Sequence, residues 1–248
     1  MQKTDLPELK RRAIAFLHTP IKVSYMTIGS LPNHRIAQPS HPYFSNDIVM
    51  DNGTPLMILE DESALHRAIQ KWTDMINATN TVMQIFLDIT KPYRLQFFQN
   101  VQEYLSTEDF SEMLGEVWTD CENPNSYPNI KVEEIVKWFE KADKEILMNE
   151  EEYSEYNSLP DEFKVYRGGG VKSNPHGLSW TQDEETAYWF CERFGTSSDE
   201  EDDNEDEEGH PFVYSAIAKK EDVLAYFARR EETEIVISTK KLRNIHRI

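Results

Sequence analysis

The chain has 248 residues, enough for one or two domains and a substantial core. It carries 45 acidic against 26 basic residues, −19 in all, which opposes non-specific binding to nucleic acid. Nine of the acidic residues crowd between Asp199 and Glu208, so the rest stands at 36 against 26, or −10.

Residues 7–18 (PELKRRAIAFLH) predict a short basic helix, with Pro7 suited to its first turn. Val23 to Ile28 reads as a strand. Pro32, Pro39 and Pro42 then mark a long irregular stretch, and Thr54 to Leu59 reads as a second strand. Leu65, Ala68, Ile69, Trp72 and Met75 recur at helical spacing over 63–75. Helical patterns continue over 82–87, 93–105 and 110–118, with capping chemistry at Ser106-Thr107-Glu108-Asp109. A turn follows over 121–129. The pattern over 132–148 predicts one amphipathic helix with Ile135, Val136, Phe139, Ala142 and Ile146 on its apolar side. A short helix over 150–156 stops at Leu159-Pro160.

The texture changes at Phe163. Segments 163–166, 178–181, 212–218, 223–227 and 235–238 have strand length and β-branched or aromatic composition. One helix, 183–194, interrupts them. Its stripe is Ala187, Phe190, Cys191 and Phe194, and Thr181-Gln182-Asp183-Glu184 suggests a capping box at its start. The expected fold class is α+β, a mostly helical N-terminal part packed on a β-rich core. The acidic run reads as a solvated loop, 197–209, or as a docking element for a basic partner. Cys121 and Cys191 fit partly buried thiols in a reducing compartment better than a disulfide. The start has no apolar signal core and no apolar run approaches ~18 residues, so a cytoplasmic protein with no membrane partner is expected.

Three polar clusters sit on the strand-like segments of the last third. Arg167 precedes Gly168, Gly169 and Gly170, and a guanidinium beside a close-approaching backbone suits a phosphate. Ser179 and Thr181 lie two apart and share a face of a strand. Glu232 and Glu234 also lie two apart, directly before Ile235-Val236-Ile237, and a carboxylate pair there suits cleavage of a glycosidic bond. Each cluster also has an ordinary explanation: a surface ion pair beside a loop, strand-end capping, and edge-strand charge.

In this order, Tyr166-Arg167-Gly168, Leu178-Ser179-Trp180-Thr181 and Glu232-Thr233-Glu234, the chain resembles the ADP-ribosyltransferases of the arginine–serine–glutamate class, which include clostridial-type toxins and phage-encoded transferases. The resemblance covers roughly residues 130–248. It implies NAD+ as co-substrate, no metal, and a division into 1–80, of unassigned role, and a transferase-like domain, 81–248. That domain would comprise a helical lobe, 81–160, and a catalytic core, 161–248. Arg167 would hold the phosphates of NAD, with Tyr166, Gly168, Ser179, Thr181 and Glu234 completing the cofactor site. Ser179 would orient Glu234, which stabilises the oxocarbenium ion, and Glu232 would activate the acceptor. Tyr226, Phe227, Arg229 and Arg230 are candidates for acceptor contact, core packing being the better role for at least one of the two aromatics. Trp180 stands where the family often has a small hydroxyl residue, and it points away from the site.

Within the family such a glutamate pair usually accompanies arginine as target, so the resemblance implies protein arginine as acceptor, with NAD hydrolysis as a side activity. A nucleic-acid base is the alternative, because Arg229, Arg230, Lys240, Lys241, Arg243 and Arg247 make the C-terminal stretch locally basic. A second alternative is an inactive relative that serves as a binding module. A toxin, effector or phage-defence role follows from the resemblance, with a neutralising antitoxin-like protein as partner.

Overall fold

The computed structural model describes residues 3–28, 31–51, 53–121, 129–170, 173–174, 176–195, 211–229 and 232–248. It is a mixed α and β protein with small antiparallel sheets. The chain forms two compact units, Met1–Glu122 and Asn123–Ile248. The helical patterns over 82–118 thus belong with the first unit, whereas the sequence grouping placed them with the residues after 81.

Unit 1 begins with α1 (Leu6–Leu17), capped by the Asp5 side chain, which accepts from the Glu8 amide, and started by a proline. Leu9, Ala13 and Leu17, four apart, form its buried stripe. Two antiparallel hairpins follow, β1 (Lys22–Ile28) with β2 (Leu31–Ser40), and β3 (Ile48–Asp51) with β4 (Thr54–Met57). The segment read as irregular is therefore largely a strand. Pro39 sits opposite Val23 in a two-stranded ribbon, where each strand has a free edge and a missing N–H costs little. Then come α2 (Glu62–Ala78), α3 (Val82–Leu87), α4 (Lys91–Val101) and α5 (Thr107–Asp120). The Ser106 hydroxyl accepts from the Asp109 amide and caps α5 as its sequence suggested. Phe86, Phe97, Phe98, Phe110 and Trp118 fill the core, with Phe86 against Phe97 at 5.1 Å and Phe98 against Phe110 at 5.2 Å between ring centres.

Unit 2 opens with α6 (Val132–Lys141), α7 (Lys144–Leu147) and α8 (Glu150–Ser158). The single helix expected over 132–148 breaks at Ala142, which is extended. Asp143 then acts as a new N-cap, its side chain accepting from the Glu145 amide. The break rotates the apolar face, so that Leu147 is buried and Ile146 is exposed. A capping box starts α8: the Asn149 side chain accepts from the Glu152 amide, and the Glu152 carboxylate accepts from the Asn149 amide.

Six strands make two three-stranded antiparallel sheets. One has β5 (Glu162–Gly169) and β10 (Arg243–Arg247) flanking β7 (Phe212–Lys219). The other has β6 (Ser179–Trp180) and β8 (Val223–Phe227) flanking β9 (Glu234–Ile237). The two sheets are joined by one bridge, in which the amides of Tyr166 and Thr181 each donate to the other residue's carbonyl, at 2.7 and 2.8 Å. β10 has no apolar alternation and all five residues are exposed, so its pattern gives no strand signal. Pairing with β7 and the 3.1 Å contact of His246 Nε2 with the buried Ser215 hydroxyl hold it in place. The helix α9 (Glu184–Gly195) packs on β5 through Ala187. Asp183 caps it, accepting from the Glu185 amide and the Thr186 hydroxyl, in place of the expected box on Thr181.

Candidate functional site

Alternation along β5 separates its side chains into two sets. Tyr166 and Gly168 face α9, where the Tyr166 ring packs with Ala187 and Val213. A Cβ on Gly168 would lie 1.7 Å from the Ala187 carbonyl oxygen, so only glycine permits this approach of helix to strand. Arg167 points the other way and is 8% exposed. Its Nη1 donates to the Ser179 carbonyl at 2.6 Å, and its Nη2 and Nε donate to the Asn174 carbonyl at 2.8 and 3.3 Å. The guanidinium thus ties β5 to β6 and to the connection between them. Three of its five N–H groups are spent in these bonds. Burial pushes the Arg167 pKa down to about 10, opposed by the Glu234 carboxylate. The charges of the first and third clusters therefore act on one another.

The second and third clusters meet through strand pairing. Ser179 lies opposite Val236 and Trp180 opposite Ile235. This register leaves Thr181 and Glu234 at the adjoining ends of β6 and β9. Trp180 lies on the face away from Ser179, 2% exposed, with its indole N–H donating to the Gly177 carbonyl. Thr181 is buried; its hydroxyl accepts from the Asp183 amide and lies 3.5 Å from the Thr233 hydroxyl. The catalytic and cofactor candidates Arg167, Ser179, Thr181 and Glu234 therefore collect around one junction of two sheets. Tyr166 contributes there through its backbone bridge, whereas Gly168 lies against α9.

Glu232 is part-buried in the connection from β8 to β9, and its amide reaches the Arg229 carbonyl at 3.4 Å. The acceptor candidates need correction. Phe227 is 1% exposed and packs toward Phe139, 6.5 Å between ring centres. Tyr226 is 7% exposed, and burial raises its hydroxyl pKa. Both belong to the core because β8 is the strand on which α6 and α8 lie. Arg229 donates from Nε to Glu152 at 3.2 Å and stacks over the Phe227 ring at 5.4 Å. Arg230 and the acidic loop 197–209 lie outside the described residues.

The C-terminal basic stretch is largely neutralised. Lys240 pairs with Glu133 at 2.9 Å, Lys241 with Asp222 at 3.2 Å and Arg243 with Glu162, while Arg247 donates to the Pro211 carbonyl. Neither cysteine forms a disulfide, and both are part-buried. Among the described residues no group of three or more His, Cys, Asp or Glu is arranged to hold a metal ion. No helix among them is long and apolar enough to cross a membrane.

Sequence reasoning missed Asn174, whose contribution is a backbone carbonyl and so leaves no mark on residue type. It also missed Glu152, whose only sequence signal is its place in the Asn149–Glu152 capping box. Comparison of the chain with family models, curated proteins and solved structures found no match.

Proposed function

We propose that the chain is an NAD-dependent ADP-ribosyltransferase acting on a macromolecular acceptor, with protein arginine as the favoured target. The observation that supports this most is the convergence of a buried arginine with a glutamate from the opposite sheet. Burying a guanidinium is expensive without a use for its charge. Here the Arg167 guanidinium suits a phosphate oxygen, and Glu234 opposes the effect of burial on its charge.

In the reaction, Arg167 binds a phosphate of NAD, and Glu234 stabilises the positive charge that develops on the ribose. The bond from the anomeric carbon to nicotinamide breaks and its electron pair leaves with nicotinamide. An acceptor nitrogen forms the new bond to that carbon and gives its proton to Glu232. Water in the acceptor's place yields free ADP-ribose, the hydrolytic side reaction.

A nucleic-acid base is the second reading, carried by the basic C-terminal stretch. The ion pairs of Lys240, Lys241 and Arg243 reduce the positive field that this reading needs, which favours a protein acceptor. Incubation with radiolabelled NAD and cell lysate, followed by separate protease and nuclease digestion, distinguishes the two. Arginine as acceptor predicts macromolecular label that withstands nuclease and is lost to protease. Label lost to nuclease alone would overturn the arginine assignment, and no consumption of NAD would overturn the transferase reading.

A further inference from the structure

Glu152 is a carboxylate on α8 with 1% of its side chain exposed. Its capping-box bond to the Asn149 amide uses Oε2 at 2.9 Å. The other oxygen, Oε1, accepts from two groups of a different element: the Ala228 amide at 3.1 Å and Arg229 Nε at 3.2 Å. A helix cap needs only the first of these bonds and needs no burial. The second set fixes the point at which the chain leaves β8.

From that point to β9 there are six residues, 228–233, and they carry Glu232. The Arg229 carbonyl receives the Glu232 amide at 3.4 Å, and the Thr233 hydroxyl lies 3.5 Å from that of Thr181. The connection is thus held at its start by Glu152, the Arg229 carbonyl and Glu232 amide are tied to each other, and Thr233 meets Thr181 beside Glu234. Glu152 is therefore linked through Arg229 to Glu232 by two successive contacts.

We propose that Glu152 is a positioning residue for acceptor use: it holds Ala228 and Arg229, and through the Arg229 carbonyl the Glu232 amide, so that Glu232 meets the acceptor nucleophile at the anomeric carbon. This rests on the transferase reading above. Water is small and needs no docking, so hydrolysis tolerates a loosened connection. A macromolecular acceptor must be aligned, and misplacement of an aligning group is costly in rate. Loss of Glu152's charge therefore shifts the partition of cleaved NAD from transfer toward hydrolysis.

The test uses Glu152→Gln, which keeps shape but exchanges one acceptor oxygen for a donor, and Asn149→Ala, which removes the capping side chain while leaving the ties from Glu152 to 228–229. Each protein is incubated with labelled NAD and lysate; macromolecular label and free ADP-ribose are counted in the same reaction, and amide exchange is followed over 226–236. For E152Q the ratio of transfer to hydrolysis falls about tenfold, total NAD cleavage changes less than about threefold, and exchange quickens at Ala228 and its neighbours. For N149A the ratio stays at the wild-type value. An unchanged ratio in E152Q, or an equal fall in N149A, overturns the positioning role while leaving the transferase reading intact. A wild type that leaves NAD uncleaved, or yields only free ADP-ribose, overturns both.

Discussion

The strands of unit 1 stand as two-stranded ribbons, with Tyr25, Met26, Ile36, Ile48 and Met50 exposed, and its core is made mainly by helices, joined by Tyr43, Phe44, Leu56 and Ile58. In unit 2 the run Ile235–Ile237 is wholly buried, and α9 and α8 lie on strands of two different sheets. The polar contents differ as well. Among the described residues, the buried polar side chains of unit 1 are His41 and Ser111, each serviced by a carbonyl of its own unit. Unit 2 buries two charged groups, Arg167 and Glu152, together with Thr181 and Ser215. A neutral buried group held by backbone bonds is ordinary packing. Buried charges that tie separate strands and loops together cost far more and indicate a built site.

The largest effects that test this contrast come from glycine. Gly168→Ala drives a methyl group to 1.7 Å from the Ala187 carbonyl oxygen, where neither strand nor helix backbone can yield. Unit 2 should lose at least about 3 kcal/mol, read as a lowered melting transition or insolubility. Gly53→Ala in unit 1 meets nothing within 4 Å and bears only the strain of φ +83°, so its cost should stay near 1 kcal/mol. Equal costs for the two would remove the claim that α9 is locked onto β5.

Arg167→Lys ranks next. A lysine cannot span the Asn174 and Ser179 carbonyls as the planar fork does, and unit 2 should lose about 2 kcal/mol in denaturant unfolding, with weakened NAD binding in calorimetry. Glu234→Gln should cost about 1 kcal/mol, because Arg167 then remains buried without the charge that opposes its desolvation.

Acid separates the two units by a smaller margin. Burial lowers the pKa of His41 below its ordinary 6.5, against the raising effect of the Thr19 and Leu17 backbone. Its Nδ1 already accepts from the Tyr43 amide, so the neutral ring is the folded form. A depressed basic group binds its proton first in the unfolded chain. The stability it confers is complete above pH 6.5 and declines as pH falls from 6.5 toward the folded value. The melting transition of unit 1 should shift down between pH 7 and 5, and His41→Asn should flatten that shift.

Much of the helical layout is legible in the sequence because an amphipathic stripe states its own period. The spans of α3 and β8 follow directly from their apolar pattern, and α5 from its Ser106 cap. The departures have specific causes. β2 contains prolines that a free strand edge accepts, β10 is polar throughout and is held by β7, and Asp143 is a helix interior residue by pattern but a cap by side-chain chemistry. At the candidate site, Ser179, Thr181 and Glu234 are visible as residue types at strand ends, and Arg167 as one inside β5. Their meeting point is set by the Tyr166–Thr181 bridge, a backbone contact to which any residue could contribute. The burial of Phe227 and Tyr226 follows from α6 and α8 lying on β8, a long-range contact absent from local pattern.

The central claim is that Arg167 and Glu234 form one NAD-cleaving site. The most direct measurement is release of nicotinamide from NAD by the wild-type chain and by Glu234→Gln, both checked for folding by circular dichroism. Release by the wild type and a loss of at least about a hundredfold in the folded variant are expected. Equal release by the two proteins, or none by the wild type, would contradict it.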